Sequence, residues 1–332
     1  MCIRDRIYVD LNDRVRNEAD VVLALGTRFG ETDWWGKAPN WAQPPKQKLI
    51  QVDIDEEILG LNKPAEMTVL ADVKLFLEAL LKEMEKRKDA MPMTARRDAI
   101  ARYQEAKTKQ RAKLDKSLAD MAVPLVTAHV PKACQDFFAD DAIYVVDGGN
   151  TTIWGMFYHE VRVPNTLLTT SKFGMLGAGV PQALGAAVAR PDKQVCCIIG
   201  DGAMGFNLQE IETAVRNKLR VIYLVCCDKQ WGMVKMTQQF ALHPWKTVLK
   251  RPLGQEDTIN ADLCEIAFDQ VALAMGAHGE RVSEPNQLRP ALERSAASGK
   301  PAVIHVDVDP VKHLWAPNLM TFKKMHQEPS GK

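Results

Sequence analysis

The chain has 332 residues, enough for two ordinary domains. Hydrophobic residues make up 46% and charged residues 26%, which describes a globular chain with a sizeable core and excludes a disordered or fibrous one. With 43 Lys and Arg against 42 Asp and Glu, the net charge of +1 gives no electrostatic case for nucleic acid or a membrane surface as partner. Seven cysteines include the adjacent pairs Cys196-Cys197 and Cys226-Cys227 inside apolar runs. Without C-x-x-C or metal-finger spacing they read as reduced core residues of a cytoplasmic protein. No apolar run approaches the roughly 18 residues needed to span a bilayer, and no secretory pattern is present.

In chain order, MCIRDR at residues 1 to 6 reads as a short foreign scar ahead of a fragment. A strand is predicted at Val21 to Leu25 (VVLAL), a second at Lys48 to Asp53 (KLIQVD) and a helix from Ala71 to Lys86, so residues 1–86 read as the later part of an α/β domain. Trp34, Trp35 and Trp41 lie in a Gly/Pro-rich loop and are expected to pack on their own domain. Residues 87–120 turn strongly charged, with a break at Met91-Pro92-Met93, and read as a solvated helix or linker. A second alternation fills residues 121–310: a helix to about Phe138, then strands at Ala142 to Val146, Leu167 to Thr170, Gln194 to Ile199, Val221 to Val225 and Ala302 to Val306, with helices between most of them. This predicts an α/β fold, a parallel sheet covered on both faces in three layers. Residues 311–332 read as a tail or a lid.

The segment Gln194 to Met233 carries the chemistry. An apolar strand ends in Gly200-Asp201-Gly202, an amphipathic helix follows over Phe206 to Lys218, and a second apolar strand ends at Asp228. A right-handed crossover makes such strands neighbours or near neighbours, so both aspartates emerge at the carboxyl edge of the sheet, where open α/β sheets bind ligands. Two oxygen donors there suit Mg²⁺, which shares its shell with phosphates. Gly200 and Gly202 let the backbone approach a ligand, and the helix start offers N–H groups to anionic oxygens. The site reads as built for a metal-bridged diphosphate.

The stretch GDGAMGFNLQEIETAVRNKLRVIYLVCCDKQWGM resembles the thiamine-diphosphate signature, which opens on Gly-Asp-Gly and closes, 27 residues after its Asp, on an Asn. Across most of its length the chain is similar to the acetolactate-synthase-like group of thiamine-diphosphate-dependent 2-oxo-acid decarboxylases and carboligases. The resemblance implies thiamine diphosphate and Mg²⁺ as cofactors, a small 2-oxo acid as substrate and a homo-oligomer, dimer or tetramer, in the full-length form. The implied metal ligands are Asp201, Asp228 and the backbone carbonyl of Gln230. Implied cofactor contacts also include Gly200, Gly202, Ala203, Met204, Trp231, Gly232 and Met233, together with Gly149, Asn150 and Thr151 of the turn DGGNTTIWG. In FGMLGAGVPQALGAA, starting at Phe173, the Gly174 carbonyl would accept from the aminopyrimidine, and Leu176 would wedge between the two cofactor rings.

One departure stands at the closing position, where Cys227-Asp228 replaces the usual Asn-Asn. A carboxylate there adds negative charge beside an anionic diphosphate, so weaker cofactor retention is expected, partly offset by Lys229. The N-terminal pyrimidine-binding domain of the family, with the glutamate that protonates the aminopyrimidine, has no counterpart here, so no catalytic residue is nominated and activity of this chain alone is not expected. Some relatives bind FAD or an adenine nucleotide in the central domain, and the residues here leave that open. Within the superfamily a 2-hydroxyacyl-CoA lyase or a sulfoacetaldehyde acetyltransferase is the alternative enzyme, and a non-catalytic subunit that keeps the cofactor fold is the alternative from another class. Gly177-x-Gly179 reads as tight helix packing and not as a dinucleotide motif. His243, His278, His305 and His313 show no metal-ligand spacing and read as structural or surface residues, while Trp231, Met233 and Gln238 are expected either to face the substrate cavity or to belong to a packed helix.

Overall fold

A computed structural model of the chain describes residues 9–87, 93–170, 174–249, 251, 254, 257–317 and 319. The readings of residues 1–6, of the Met91-Pro92 break, of Phe173 and of most of the segment after 317 lie outside the described residues. The rest forms two compact units, one over residues 9–113 and one over 114–317.

The first unit carries a parallel three-stranded sheet in the order β1 (Val21–Leu25), β2 (Lys48–Asp53), β3 (Met67–Leu70). Its core is Ala24, Phe29, Trp41 and Leu49, with Trp34 packed against it. The Phe29 and Trp41 rings meet edge to face at 5.2 Å, and the Trp41 indole N–H donates to the Asp33 carbonyl at 2.7 Å. The sequence reading missed β3 and began the following helix too early. Asp72 caps that helix, accepting from the N–H groups of Lys74 and Leu75, so it runs from Val73 to Lys86. A 22-residue helix, Met93–Leu114, occupies the charged stretch, mostly exposed but with Ala99, Tyr103, Ala106 and Gln110 partly buried along one side.

The second unit is a six-stranded sheet, parallel throughout, in the order β5-β4-β6-β7-β9-β8. Its strands are β4 (Ile143–Asp147), β5 (Leu167–Leu168), β6 (Val195–Gly200), β7 (Val221–Cys227), β8 (His278–Val282) and β9 (Ala302–Asp307). Alternate residues of each central strand enter opposite cores. Val145, Cys197, Tyr223 and Val303 face the helices Gly179–Ala189, Glu210–Arg216 and Phe268–Ala274. Tyr144, Cys196, Leu224 and Ile304 face the helices His129–Phe137 and Leu288–Ala297. The adjacent cysteine pairs are explained by this period of two: Cys196 and Cys226 point into one core, Cys197 and Cys227 into the other.

Beside shifts of one or two residues at other strand ends, three elements depart from the sequence reading. The strand predicted over Leu167 to Thr170 is only Leu167–Leu168, and the edge strand β8, with the polar sequence HGERV, was not foreseen. The helix predicted over Phe206 to Lys218 is two helices, Asp201–Phe206 and Glu210–Arg216. Asn207 breaks it, because its side-chain amide donates to the Gly177 carbonyl at 2.9 Å instead of facing solvent from a continuous helix.

The strand order fixes where a ligand can sit. From β4 the chain goes outward to β5 on one side and returns to β6 on the other, so the switch point lies between the carboxyl ends of β4 and β6. Asp147 at the end of β4 is buried there and accepts from the N–H groups of Gly148 at 2.6 Å and Gly179 at 2.7 Å. Gly179 belongs to this close packing, since a Cβ on it would lie 2.6 Å from the Asp147 Cβ.

Two helix glycines separate packing from propensity. At Gly155 an added Cβ would lie 2.7 Å from a Val146 methyl, whereas at Gly185 nothing lies within 4 Å. Gly155→Ala is expected to destabilise the unit by about 1–3 kcal/mol through overpacking, and Gly185→Ala to stabilise it by up to about 1 kcal/mol. Urea unfolding midpoints at constant m-value check both signs.

Candidate active site

Three strand ends and one distant helix converge at the switch point. The turn after β4 supplies Gly148, Gly149, Asn150 and Thr151; the turn after β6 supplies Gly200, Asp201 and Gly202; the turn after β7 supplies Asp228 to Met233. The helix Pro310–Leu314 closes the group from the far end of the chain.

Close approach explains the glycines. A Cβ on Gly148 would lie 3.1 Å from the Gly200 nitrogen, and one on Gly149 would lie 3.0 Å from the Met233 Cβ. A Cβ on Gly202 would strike the Trp231 ring at 2.6 Å. One on Gly232 would sit 2.9 Å from Asn150 Nδ2 and 3.4 Å from Asp228 Oδ2. The turns therefore interlock by backbone, and the functional side chains fill what space remains.

Asp201 and Asp228 are both buried, at 9% and 7% exposure. Asp201 accepts from the N–H groups of Gly202 at 2.7 Å and Lys229 at 2.8 Å. Asp228 accepts from the Gln230 side-chain amide at 2.9 Å, and that amide also donates to the Pro310 carbonyl at 2.8 Å. Among the described residues no Lys or Arg pairs with either carboxylate. Burial pushes both pKa values up to about 7, and the Asp228 charge adds to the rise at Asp201. The expected offset by Lys229 is corrected here: its ammonium lies 2.5 Å from a Glu265 carboxylate oxygen, so its charge is spent on the neighbouring loop. Lys229 has left-handed backbone, φ 59°, an uncommon conformation for a side chain of this size.

The Gln230 carbonyl is not consumed by the bridge its residue makes with Asp262. That bridge uses the Lys229 carbonyl, which accepts from Leu263, and the Trp231 N–H, which donates to Ala261. Asn150 is 3% exposed, and neither its side-chain oxygen nor its nitrogen has a partner among the described residues. An orphaned buried amide, beside two buried carboxylates without a side-chain cation, fits a site shaped for a cation and an anionic ligand.

The remaining predicted residues fall into two groups. Ala203 and Met204 turn their side chains into the core, so only their backbone can face a ligand. Gly174 has φ 69° and is exposed, and Leu176 is half-buried against the same core. Trp231 lines a cavity of about 350 Å³ beside Asp201, shared with Phe206, Leu263 and Phe268. Met233 abuts Gly149, while the Gln238 amide is tied to the backbone of Ile259 in both directions.

His313 was read as structural or surface, and it stands in the site. It is buried, with Nδ1 2.7 Å from the Thr127 hydroxyl and Nε2 3.4 Å from the Thr151 hydroxyl and 3.8 Å from Asp228 Oδ2. Burial pushes its pKa down to about 4, so it adds a hydrogen-bonding nitrogen and no charge. Its carbonyl accepts from the Trp154 indole at 2.9 Å. The local signal was Asp309-Pro310, an N-cap and a first-turn proline that announce a helix; nothing local announces where that helix docks.

Family models match both units. The model for the thiamine pyrophosphate enzyme C-terminal TPP binding domain covers residues 147–306, and that for the central domain of the same enzymes covers residues 9–80. The chain belongs to the thiamine pyrophosphate enzyme family, and the relatives it resembles are acetolactate synthases. It is 36% identical over 193 residues to the acetolactate synthase large subunit of Mycobacterium tuberculosis, covering 58% of this chain and 33% of that one. It is 27% identical over 299 residues to the acetolactate synthase isozyme 2 large subunit of Escherichia coli, covering 90% and 49%, and 26% identical over 320 residues to acetolactate synthase 1 of Nicotiana tabacum, covering 95% and 46%. The chain thus spans between a third and a half of the length of these relatives. No helix among the described residues is long and apolar enough to cross a membrane.

The sign of the pH dependence follows from the two raised carboxyl groups. Between the unfolded value near 4 and the folded value of about 7, the folded state keeps protons that the unfolded chain has lost, so stability falls as pH rises through that window. Asp228→Asn removes one buried charge and the repulsion. Without divalent cation the variant is expected to gain at least about 1 kcal/mol on wild type between pH 5 and pH 8. Parallel melts over that range check it.

Proposed function

We propose that this chain is the cofactor-holding part of a thiamine-diphosphate- and Mg²⁺-dependent decarboxylase or carboligase acting on a small 2-oxo acid, with acetolactate synthesis the favoured reaction. The observation that carries the reading is the convergence on one switch point of two buried carboxylates without a side-chain cation and an orphaned amide. Asp201, Asp228 and the Gln230 carbonyl would hold the Mg²⁺, which takes hard oxygen donors and bridges to phosphate. The Asn150 amide, the Thr151 hydroxyl and the backbone at Gly149, Gly200 and Gly202 would orient the diphosphate. When bound, thiamine diphosphate supplies the electron sink that decarboxylation of a 2-oxo acid requires. Gly174, Leu176 and Met233 would position its rings, with the Gly174 carbonyl accepting from the aminopyrimidine. Trp231 and Phe206 would exclude water beside the metal turn. The relatives it resembles are acetolactate synthases, which supports the substrate class.

Calorimetric titration with thiamine diphosphate tests this. Binding is expected in Mg²⁺, to be lost in EDTA, and to be weakened at least about 100-fold in Asp201→Ala, the loss of one charged ligand amounting to about 3 kcal/mol. Equal affinity with and without metal, or in the variant, would overturn it.

A further inference from the structure

The closing position of the metal turn is a carboxylate here, and this changes what the empty protein can bind. We propose that Asp201 and Asp228 together take up a divalent cation before, and without, the diphosphate. The inference rests on the reading of this turn as the metal site and adds an order of binding to it.

The argument is one of charge. A carboxylate paired with a neutral amide offers one negative charge to a dication, which then depends on the diphosphate to complete its neutralisation. Two carboxylates offer two, equal to the charge of the ion. Both are already oriented, Asp201 by the N–H groups of Gly202 and Lys229 and Asp228 by the Gln230 amide. Neither is in an ion pair with a lysine among the described residues: Lys229 pairs with Glu265 and Lys235 with Asp262 at 2.6 Å. Independent evidence for a ligand comes from Asn150, whose amide is buried, without a partner among the described residues, and faces the same space over Gly232 as Asp228 Oδ2. With the Gln230 carbonyl, the two carboxylates give three hard oxygen donors. Oxygen donors in this number select Mg²⁺ or Mn²⁺ over softer metals.

The same charge has an opposite consequence for the cofactor. A diphosphate reaching a site whose cation is already neutralised meets less attraction than at a site with one carboxylate. A single substitution should therefore move the two affinities in opposite directions.

The experiment is Mn²⁺ titration of the 332-residue chain, free of thiamine diphosphate, followed by the loss of the free-ion signal in electron paramagnetic resonance, with Mg²⁺ as competitor. One Mn²⁺ per chain is expected, displaced by Mg²⁺, lost in Asp201→Asn and weakened about 10-fold or more in the isosteric Asp228→Asn, since charge count at the site sets cation affinity. Asp228→Asn is expected to bind thiamine diphosphate more tightly than wild type in saturating Mg²⁺. No site for Mn²⁺ at millimolar concentration in wild type, or an unchanged Mn²⁺ affinity in Asp228→Asn, overturns the proposal. The wild-type arm does not depend on any variant folding. A chain that binds thiamine diphosphate with Mg²⁺ but no Mn²⁺ alone defeats this inference and leaves the functional reading standing; one that binds Mn²⁺ alone but no thiamine diphosphate does the reverse.

Discussion

Burying two carboxylates at neighbouring strand ends without a side-chain cation is the constraint around which this site is arranged. Isolated buried charges are expensive, so such a pair persists only where backbone N–H groups, an oriented amide or a bound ion compensates it. Here the N–H groups of Gly202 and Lys229 and the amide of Gln230 provide the fixed part of that compensation. The fold provides the placement. β6 and β7 are adjacent and parallel, with Gly200 opposite Cys226, so their first residues beyond the sheet emerge side by side. β4 lies on the other flank of β6, which brings Asn150 and Thr151 to the same edge.

What the sequence made legible follows from burial. The strands β4, β6 and β7 are covered on both faces and read as unbroken apolar runs, VCCIIG and VIYLVCC among them. Their ends were therefore identifiable, and with them Asp201 and Asp228. The edge strands β3, β5 and β8 are short or polar, so their propensity is weak and pairing with a neighbour decides them. The break at Asn207 depends on a carbonyl thirty residues earlier in the chain, which no window of local sequence contains. His313 is the sharpest case: its role comes from contacts with Thr127, Thr151 and Asp228, all remote in sequence.

The loop opposite the metal turn shows a second use of charge. Glu265, His305 and Asp307 bring ligand-type atoms within 4.8 Å of one another, a grouping that on composition alone would suit an ion. Arg281 already bonds both carboxylates, at 2.6 Å to Glu265 and at 2.7 Å and 2.8 Å to Asp307. Lys229 and Arg281 hold the Glu265 carboxyl down at about 2. The cluster is neutralised within the protein and acts as a brace, in contrast to the Asp201 and Asp228 pair, which is not.

Lys229 ties that brace to the site. Lys229 gives its N–H to Asp201, its carbonyl to Leu263 and its ammonium to Glu265. It does so in a left-handed backbone conformation that costs a lysine on the order of 1 kcal/mol or more, and the three interactions offset that strain. A glycine would adopt the same φ without strain and keep both backbone bonds, but would lose the ammonium pair with Glu265 and gain backbone freedom, so conformational ease and positional accuracy oppose each other at this position. The strained residue directly follows Asp228 and donates to Asp201, and the accuracy it maintains is the spacing of the two carboxylates.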